Sequence, residues 1–359
     1  MNLGESMQPL PPVPEMQKAY QRRDASYDGI FILGVRSTGI FCRPSCSSRK
    51  PKPENVEFFR TPREALFAGF RPCKRCKPMM AVGSAPPWVE RLLAEVERDP
   101  AQRLNDGSIR KLGIEPARAR RYFQKTFGMT FHTYCRGRRL GAALQEIRNG
   151  ARLDDVALGH GFESHSGFRD AFSRTFGTPP GKARTTDSIV FTWIESPLGA
   201  MIAGATPTAL VLLEFTDRRM LATQIATLYR LFKRPIVPGE NAVLRQLKQE
   251  LSEYFERKRK HFSVPLDFPG SEFQREVWDS LRKIPYGATV SYEQLAKSIG
   301  RKTAQRAVGH TNGLNRLAIV IPCHRVITKG GKLGGYGGGV WRKQALLELE
   351  RGERQLLVA

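Results

Sequence analysis

Ile319-Val320-Ile321-Pro322-Cys323-His324-Arg325-Val326 places a cysteine directly behind a proline that closes an apolar, β-branched run. The run predicts a buried strand over residues 317–321, and the proline ring fixes the turn that follows it. Cys323 would then stand at a strand end, with His324 and Arg325 beside it to favour the thiolate. An isolated cysteine is most often a packing residue. A Cys–His pair also suits an acyl-transfer enzyme, so these residues alone leave both readings open. The glycine-rich run that follows, 330–339, lacks the GxxxxGK[ST] pattern of a nucleotide-binding loop.

Upstream of this stretch the texture changes several times, and 359 residues exceed what one hydrophobic core usually supports. Residues 1–15 are Pro-rich and aperiodic and read as a flexible tail. Residues 16–86 hold four paired cysteines and little core; 83–87 reads as a linker. Residues 88–186 show helical periodicity, as in Trp88, Leu92, Leu93 and Val96. Residues 188–265 turn strand-like at 189–194 and 209–213, then carry an amphipathic helix through Leu244, Leu247, Leu251, Tyr254 and Phe255. Residues 266–355 hold a helix around 273–281, a helix–turn–helix-like 291–313 and the cysteine stretch. The fold class is multidomain α+β.

The 58 Lys and Arg against 34 Asp and Glu give a formal charge of +24, which implies salt-sensitive attraction to polyanions, nucleic acid first among them. Between Arg103 and Arg148 stand 11 Lys/Arg and 3 Asp/Glu. The start has neither a basic nor an apolar leader region, and no later run approaches roughly 18 apolar residues. A soluble, cytoplasmic protein with no membrane partner is therefore expected.

Cys42-x3-Cys46 and Cys73-x2-Cys76 offer four thiolates at spacings that can close on one Zn2+ ion. A structural staple is the plain reading, and a redox CxxC lacks a surrounding βαβ context. In the helical middle, Ser108 to Arg121 reads as helix, glycine turn and Pro-initiated helix bearing Arg118, Arg120 and Arg121; Leu153 to Arg169 repeats the plan. Phe123, Phe127, Phe162, Phe168, Phe172 and Phe176 read as core. His160 and His165 lack ligand partners, and Cys135 reads as an inert thiol.

Phe41-Cys42-Arg43-Pro44-Ser45-Cys46 and Gly69-Phe70-Arg71-Pro72-Cys73-Lys74-Arg75-Cys76 resemble the zinc domain of the Ada family. The resemblance implies that Cys42, one of four zinc ligands, accepts a methyl from a DNA phosphotriester. Arg43, Arg71 and Arg75 would hold the backbone beside it. Loss of one thiolate charge would then switch specific DNA binding and activate transcription of alkylation-response genes, with RNA polymerase as partner. The segment ending Phe176-Gly177-Thr178-Pro179-Pro180 looks like an AraC-type double helix–turn–helix.

Residues 270–351 closely resemble O6-alkylguanine-DNA alkyltransferases. That resemblance implies an RNase H-like amino-terminal lobe, a winged-helix-like catalytic domain and single-turnover transfer from O6-alkylguanine, and from O4-alkylthymine, to Cys323 without an organic cofactor. Carried over residue by residue, Arg306 fills the gap of a flipped base, Ala307 lets its helix enter the minor groove, and Tyr292 helps rotate the nucleotide. Asn315 is the hinge, Glu350 orients His324, and Tyr336 in the glycine loop contacts DNA. Gly337 departs from relatives that carry serine there, which puts one hydrogen bond to the base in doubt. The bacterial nucleoid is the implied location. The non-enzymatic alternative is a zinc-containing transcription factor that binds alkylated DNA without transferring the alkyl group.

Overall fold

The computed structural model describes residues 10–80, 85–331 and 333–353. Most of the expected tail, and Gly83 and Ser84 of the linker, lie outside the described residues. Residues 13–15 are not tail: α1 (Val13–Arg22) begins there and buries Met16, Ala19 and Tyr20. Pro12 at its start needs no amide donor, which suits the position.

Beyond α1 come β1 (Ile32–Val35), β2 (Ile40–Cys42), β3 (Val56–Phe59), α2 (Pro62–Phe67) and β4 (Arg71–Pro72). They form a four-stranded sheet of order β3-β1-β2-β4. β2 and β4 pair in parallel with Ile40 opposite Arg71 and Phe41 opposite Pro72, so Cys42 at the end of β2 and Cys73 just after β4 arrive side by side.

The helical middle consists of α3 (Pro87–Arg98), α4 (Asp106–Lys111), α5 (Pro116–Phe127), α6 (Phe131–Arg148), α7 (Leu153–Gly159) and α8 (His165–Phe176). The pairs α4–α5 and α7–α8 are the two helix–turn–helix units, and α6 joins them. Phe123, Phe127, Phe168, Phe172 and Phe176 are core as expected. Phe162 is half-buried, its ring 5.1 Å from that of Phe168. His160 lies against Glu146 and His165 against Asp154.

The third unit runs β5 (Ile189–Ile194), β6 (Met201–Ala205), β7 (Leu210–Phe215), α9 (Leu221–Phe232), β8 (Ile236–Pro238) and α10 (Ala242–Phe255). Its sheet has the order β7-β6-β5-β8, antiparallel except where β8 runs parallel to β5. The helical middle is continuous with this lobe. Trp88, Leu92, Phe123, Phe127 and Phe131 share one core with Ile189, Phe191, Ile202, Leu212 and Leu228, and α6 packs on β8. A Cβ at Gly141 would stand 3.0 Å from the Pro238 carbonyl oxygen, tighter than side chains ordinarily come, so glycine eases this approach.

The carboxy-terminal unit contains α11 (Glu272–Arg282), β9 (Val290–Ser291), α12 (Tyr292–Ser298), α13 (Gln305–Gly313), β10 (Val326–Ile327) and α14 (Val340–Arg351). Ser271 and Ser291 each form a capping box that starts α11 and α12. Trp278, Leu281, Leu295, Val308 and Leu346 pack with Leu247, Leu251 and Tyr254 of α10 in one core that includes Cys323.

The strand expected over 317–321 does not form. Only Leu317 bridges, to Leu213 on β7, and the chain then curls. The cause is Asn315. Its Oδ1 accepts from Leu317 N at 2.9 Å, and its Nδ2 donates to the carbonyls of Leu317 at 3.4 Å and Ile321 at 2.9 Å. These bonds draw the segment into a loop that Ile321 N closes onto Leu317 O at 2.9 Å. Ile319 sits at φ 71°, a left-handed conformation that a β-branched residue adopts only under constraint.

Candidate active sites and metal centre

The curl delivers Cys323, 6% exposed, at the head of a single 3-10 turn, Cys323–Arg325. Asn312 Nδ2 donates to its carbonyl at 3.3 Å, and Asn315 Nδ2 donates to its sulfur at 3.1 Å. Burial pushes the thiol above its ordinary pKa; the Asn315 bond and the charges of Arg218 and Lys343 pull the other way. This corrects the expectation for Arg325, whose guanidinium is committed to Glu350 through bonds of 2.9 Å from Nε and Nη2. The cations that bear on the sulfur come from elsewhere in the chain.

His324 is fully buried, and Nε2 lies 2.8 Å from Glu350 Oε1. Burial holds its pKa below the ordinary histidine range, with Glu350 opposing. The ring is therefore neutral at neutral pH, with the Nε2 proton directed at the carboxylate and the Nδ1 lone pair free as a base. Nδ1 has no partner among the described residues. Glu350 also accepts from Tyr254 Oη at 2.7 Å and Gly287 N at 3.0 Å. Burial alone would raise its carboxyl; His324 and Arg325 reverse this and hold it well below the usual carboxylate range.

Three groups that line this site escaped the sequence reading. Lys343, fully buried with no carboxylate partner among the described residues, donates to Val326 O at 2.5 Å, and burial pushes it down to about 8. Its signal was its place seven residues before Glu350, on the same helix face. Glu214 and Arg218 form a buried ion pair, and Arg218 also donates to Asn315 O at 3.1 Å and Gly313 O at 2.5 Å. Their signal was a carboxylate inside the apolar run of β7. A Cβ at Gly337 would stand 2.5 Å from Arg218 Cζ, so the departure from serine leaves room for that guanidinium.

Arg306 and Ala307 project from the exposed face of α13, and half-buried Tyr292 stands behind it. Tyr336 is half-buried, and its hydroxyl is buried without a partner among the described residues. Burial and the nearby Cys323 sulfur both raise Tyr292 and Tyr336 above the ordinary phenol range.

At the other end of the chain the four sulfurs of Cys42, Cys46, Cys73 and Cys76 lie within 4.8 Å of one another. Tetrahedral zinc with bonds of about 2.3 Å needs sulfurs about 3.8 Å apart, so the four fit one ion. The Cys46–Cys73 separation is 4.0 Å. Arg43 N donates to Cys76 Sγ at 3.4 Å, and its guanidinium is turned onto the Lys77 and Met80 carbonyls at 3.2 and 2.5 Å. Arg75 reaches Ser47 O at 3.3 Å, and Arg71 is exposed. Arg43 therefore braces the cluster, and Arg71 and Arg75 stay exposed beside it. Cys42 and Cys73 are buried, whereas Cys46 and Cys76 are partly open.

On α5, Arg118 lies 4.8 Å over the Trp88 ring, and Arg118, Arg120 and Arg121 are all exposed. Cys135 is buried, and burial pushes its thiol up to about 12. No helix of the described residues is long and apolar enough to cross a membrane.

Four family models match consecutive parts of the chain: the metal binding domain of Ada at 15–79, a helix-turn-helix domain at 109–186, and the ribonuclease-like and DNA binding domains of 6-O-methylguanine DNA methyltransferase at 189–268 and 272–352. The chain is 34% identical to the bifunctional transcriptional activator/DNA repair enzyme Ada of Escherichia coli over 91% of this chain and 93% of that protein. It is 35% identical to the regulatory protein ada of Salmonella typhimurium over 92% of this chain and 94% of that one. Among solved structures, Mycobacterium tuberculosis OGT in complex with DNA is 38% identical, covering 46% of this chain and 94% of its own at a TM-score of 0.40. With all four modules in order and the likeness running nearly end to end, the chain belongs to the Ada family of zinc-binding, DNA-binding methylated-DNA–protein-cysteine methyltransferases.

Proposed function

We propose that Cys323 is the terminal acceptor of alkyl groups from O6-alkylguanine and O4-alkylthymine, and Cys42 the acceptor of methyl from DNA phosphotriesters. The observation that carries the first assignment is the Asn315-bonded sulfur of Cys323 beside the neutral, Glu350-anchored His324. An alkylated guanine inside a duplex hides its alkyl carbon, so the base must be extruded at a cost of a few kcal/mol. Ala307 lets α13 into the minor groove, Arg306 fills the gap, and Tyr292 and Tyr336 wall the receiving pocket.

The Cys323 proton passes to His324 Nδ1 by way of a water, and Glu350 stabilises the imidazolium that forms. The sulfur then attacks the alkyl carbon in line; the S–C bond forms, the C–O6 bond breaks, and its electron pair goes to the guanine. Tyr292 donates a hydrogen bond to the leaving base. The thioether has no hydrolysable bond, so each molecule acts once.

Zinc held by Cys42, Cys46, Cys73 and Cys76 would keep the sulfurs deprotonated at neutral pH. Methylating one of four thiolates removes one negative charge from a surface that Arg71 makes attractive to phosphate, and this change favours promoter DNA. RNA polymerase as partner and the nucleoid of the bacterial cytoplasm as setting complete the reading, supported by the net charge of +24.

The test uses full-length protein and duplex DNA radiolabelled at O6-methylguanine. Label becomes protein-bound, stops at about one equivalent and disappears in Cys323→Ala. A wild-type protein that binds this DNA and acquires no label would leave a transcription factor without transferase activity. A zinc-retaining Cys42→Ser protein that still clears phosphotriester methyl groups would remove the second assignment.

A further inference from the structure

Between the two helix–turn–helix units lies a cavity of about 660 Å3. Its floor is α6, with Cys135, Arg136 and Arg139; one wall is Arg120 on α5, and the opposite wall is the 161–164 turn with Gly167 on α8. The second helix of each unit therefore faces the same hollow.

Arg139 is the unusual member. It is only 8% exposed, and it takes part in no ion pair of the described residues. Its Nε is buried with no partner among the described residues, Nη1 makes one long bond of 3.4 Å to Gly161 O, and Cζ lies 5.0 Å over the Phe162 ring. Burying a guanidinium without an anion is costly. The acids lining the cavity are already engaged: Asp106 by His132 at 2.8 Å and Glu163 by Arg103 at 3.3 Å. Arg120 and Arg136, both exposed, join no ion pair of the described residues and add positive potential at the rim. Burial and the neighbouring Arg103 together pull the Arg139 pKa down, in keeping with a cation that lacks its counter-charge.

We propose that this cavity seats one phosphodiester of the DNA backbone, with Arg139 as the buried anchor and Arg120 and Arg136 as flanking cations. In a protein with two helix–turn–helix units, the second helices enter successive stretches of major groove, and the backbone between them must pass over the intervening surface. A planar guanidinium matches a phosphate oxygen pair, and Arg139 is pre-ordered by Phe162 and Gly161. The phosphate would fix the register of both units at once without reading sequence. The inference rests on residues 109–186 meeting DNA.

Full-length protein loaded with zinc is titrated with a duplex of about three helical turns at several salt concentrations. Arg139→Gln is expected to lower affinity roughly ten- to hundredfold and to reduce the salt slope by about one. Phe162→Leu removes the ring and keeps the cation, so it lowers thermal stability and leaves the slope unchanged. A scan of single methylphosphonates along the duplex is expected to show one position that costs wild-type affinity and costs Arg139→Gln nothing. Should Arg139→Gln fail to fold, Arg139→Lys takes its place in the scan, with the cost at that position reduced.

An unchanged slope with no coupled position overturns the proposal and makes Arg139 a clip for the 161–164 turn. Protection from heat by inorganic phosphate that Arg139→Gln abolishes, with the DNA slope unchanged, also overturns it and assigns the cavity to a free phosphorylated ligand. Absence of salt-dependent DNA binding by the wild type would instead remove the reading of the helical module itself.

Discussion

Cys323 and the Cys42 cluster are two thiol centres built on opposite principles. Cys323 stands alone in a protein core, its pKa raised by burial, with a neutral base and a buried carboxylate arranged beside it. Cys42 stands among three other sulfurs at the end of a short sheet with little core of its own, so its integrity depends on an ion. A buried lone thiol must be deprotonated at the moment of reaction by a neighbour; a metal-bound one is deprotonated beforehand. The two centres should therefore fail under different insults.

The largest effect expected is Cys323→Ala, which abolishes transfer from O6-methylguanine and leaves phosphotriester repair intact; mass spectrometry of the two cysteine peptides after exposure to methylated duplex separates them. Next, stripping zinc with a strong chelator should make residues 10–80 protease-sensitive and stop phosphotriester repair. Label transfer to Cys323 should stay within about twofold, since its core shares no residue with the first sheet and the packing of residues 25–27 on α14 lies outside that core. Equal loss at both centres would show that they are not separable.

Glu350→Gln should slow transfer to Cys323 by about 100-fold or more, measured by single-turnover kinetics. It should also destabilise the fold by about 3–5 kcal/mol, because Arg325 is left buried and unpaired. The pH dependence follows from the same residue. Its folded pKa is depressed, so its contribution to stability is present above the unfolded value of about 4.3 and fades as pH falls below it. The gap in melting temperature between wild type and Glu350→Gln should therefore narrow as pH is lowered through that value. The smallest effect belongs to Gly337→Ser: displacing Arg218 should cost about 1–3 kcal/mol in thermal unfolding and change transfer by only a few fold.

Local pattern was enough for much of this. The one-face spacing of Leu244, Leu247 and Leu251 placed α10, the helix read around 273–281 and the helix–turn–helix read over 291–313 placed α11 to α13, and the phenylalanines of the helical middle are core except half-buried Phe162. The cysteine spacing was enough to name a metal site. The apolar run before Cys323 misled, because β-branched residues favour a strand only if their backbone groups are free to pair, and Asn315 claims two of those carbonyls and one amide. Arg325 misled for a similar reason: adjacency to Cys323 in the chain says nothing about which carboxylate folds against its guanidinium.

What the sequence determined by itself was the inventory: four modules in order, two candidate acceptor thiols, a base, and a surplus of cations. Tertiary structure alone decided which charges meet. Arg218 and Lys343 come from different elements to bear on Cys323, Gly141 eases the approach of α6 to β8 where Val237 packs with Leu140 and Ala143, and Arg139 is left buried without an anion among the described residues. Periodicity reports which face of an element is apolar. Pairing of buried charges depends on distances between elements far apart in the chain, and no local pattern encodes those.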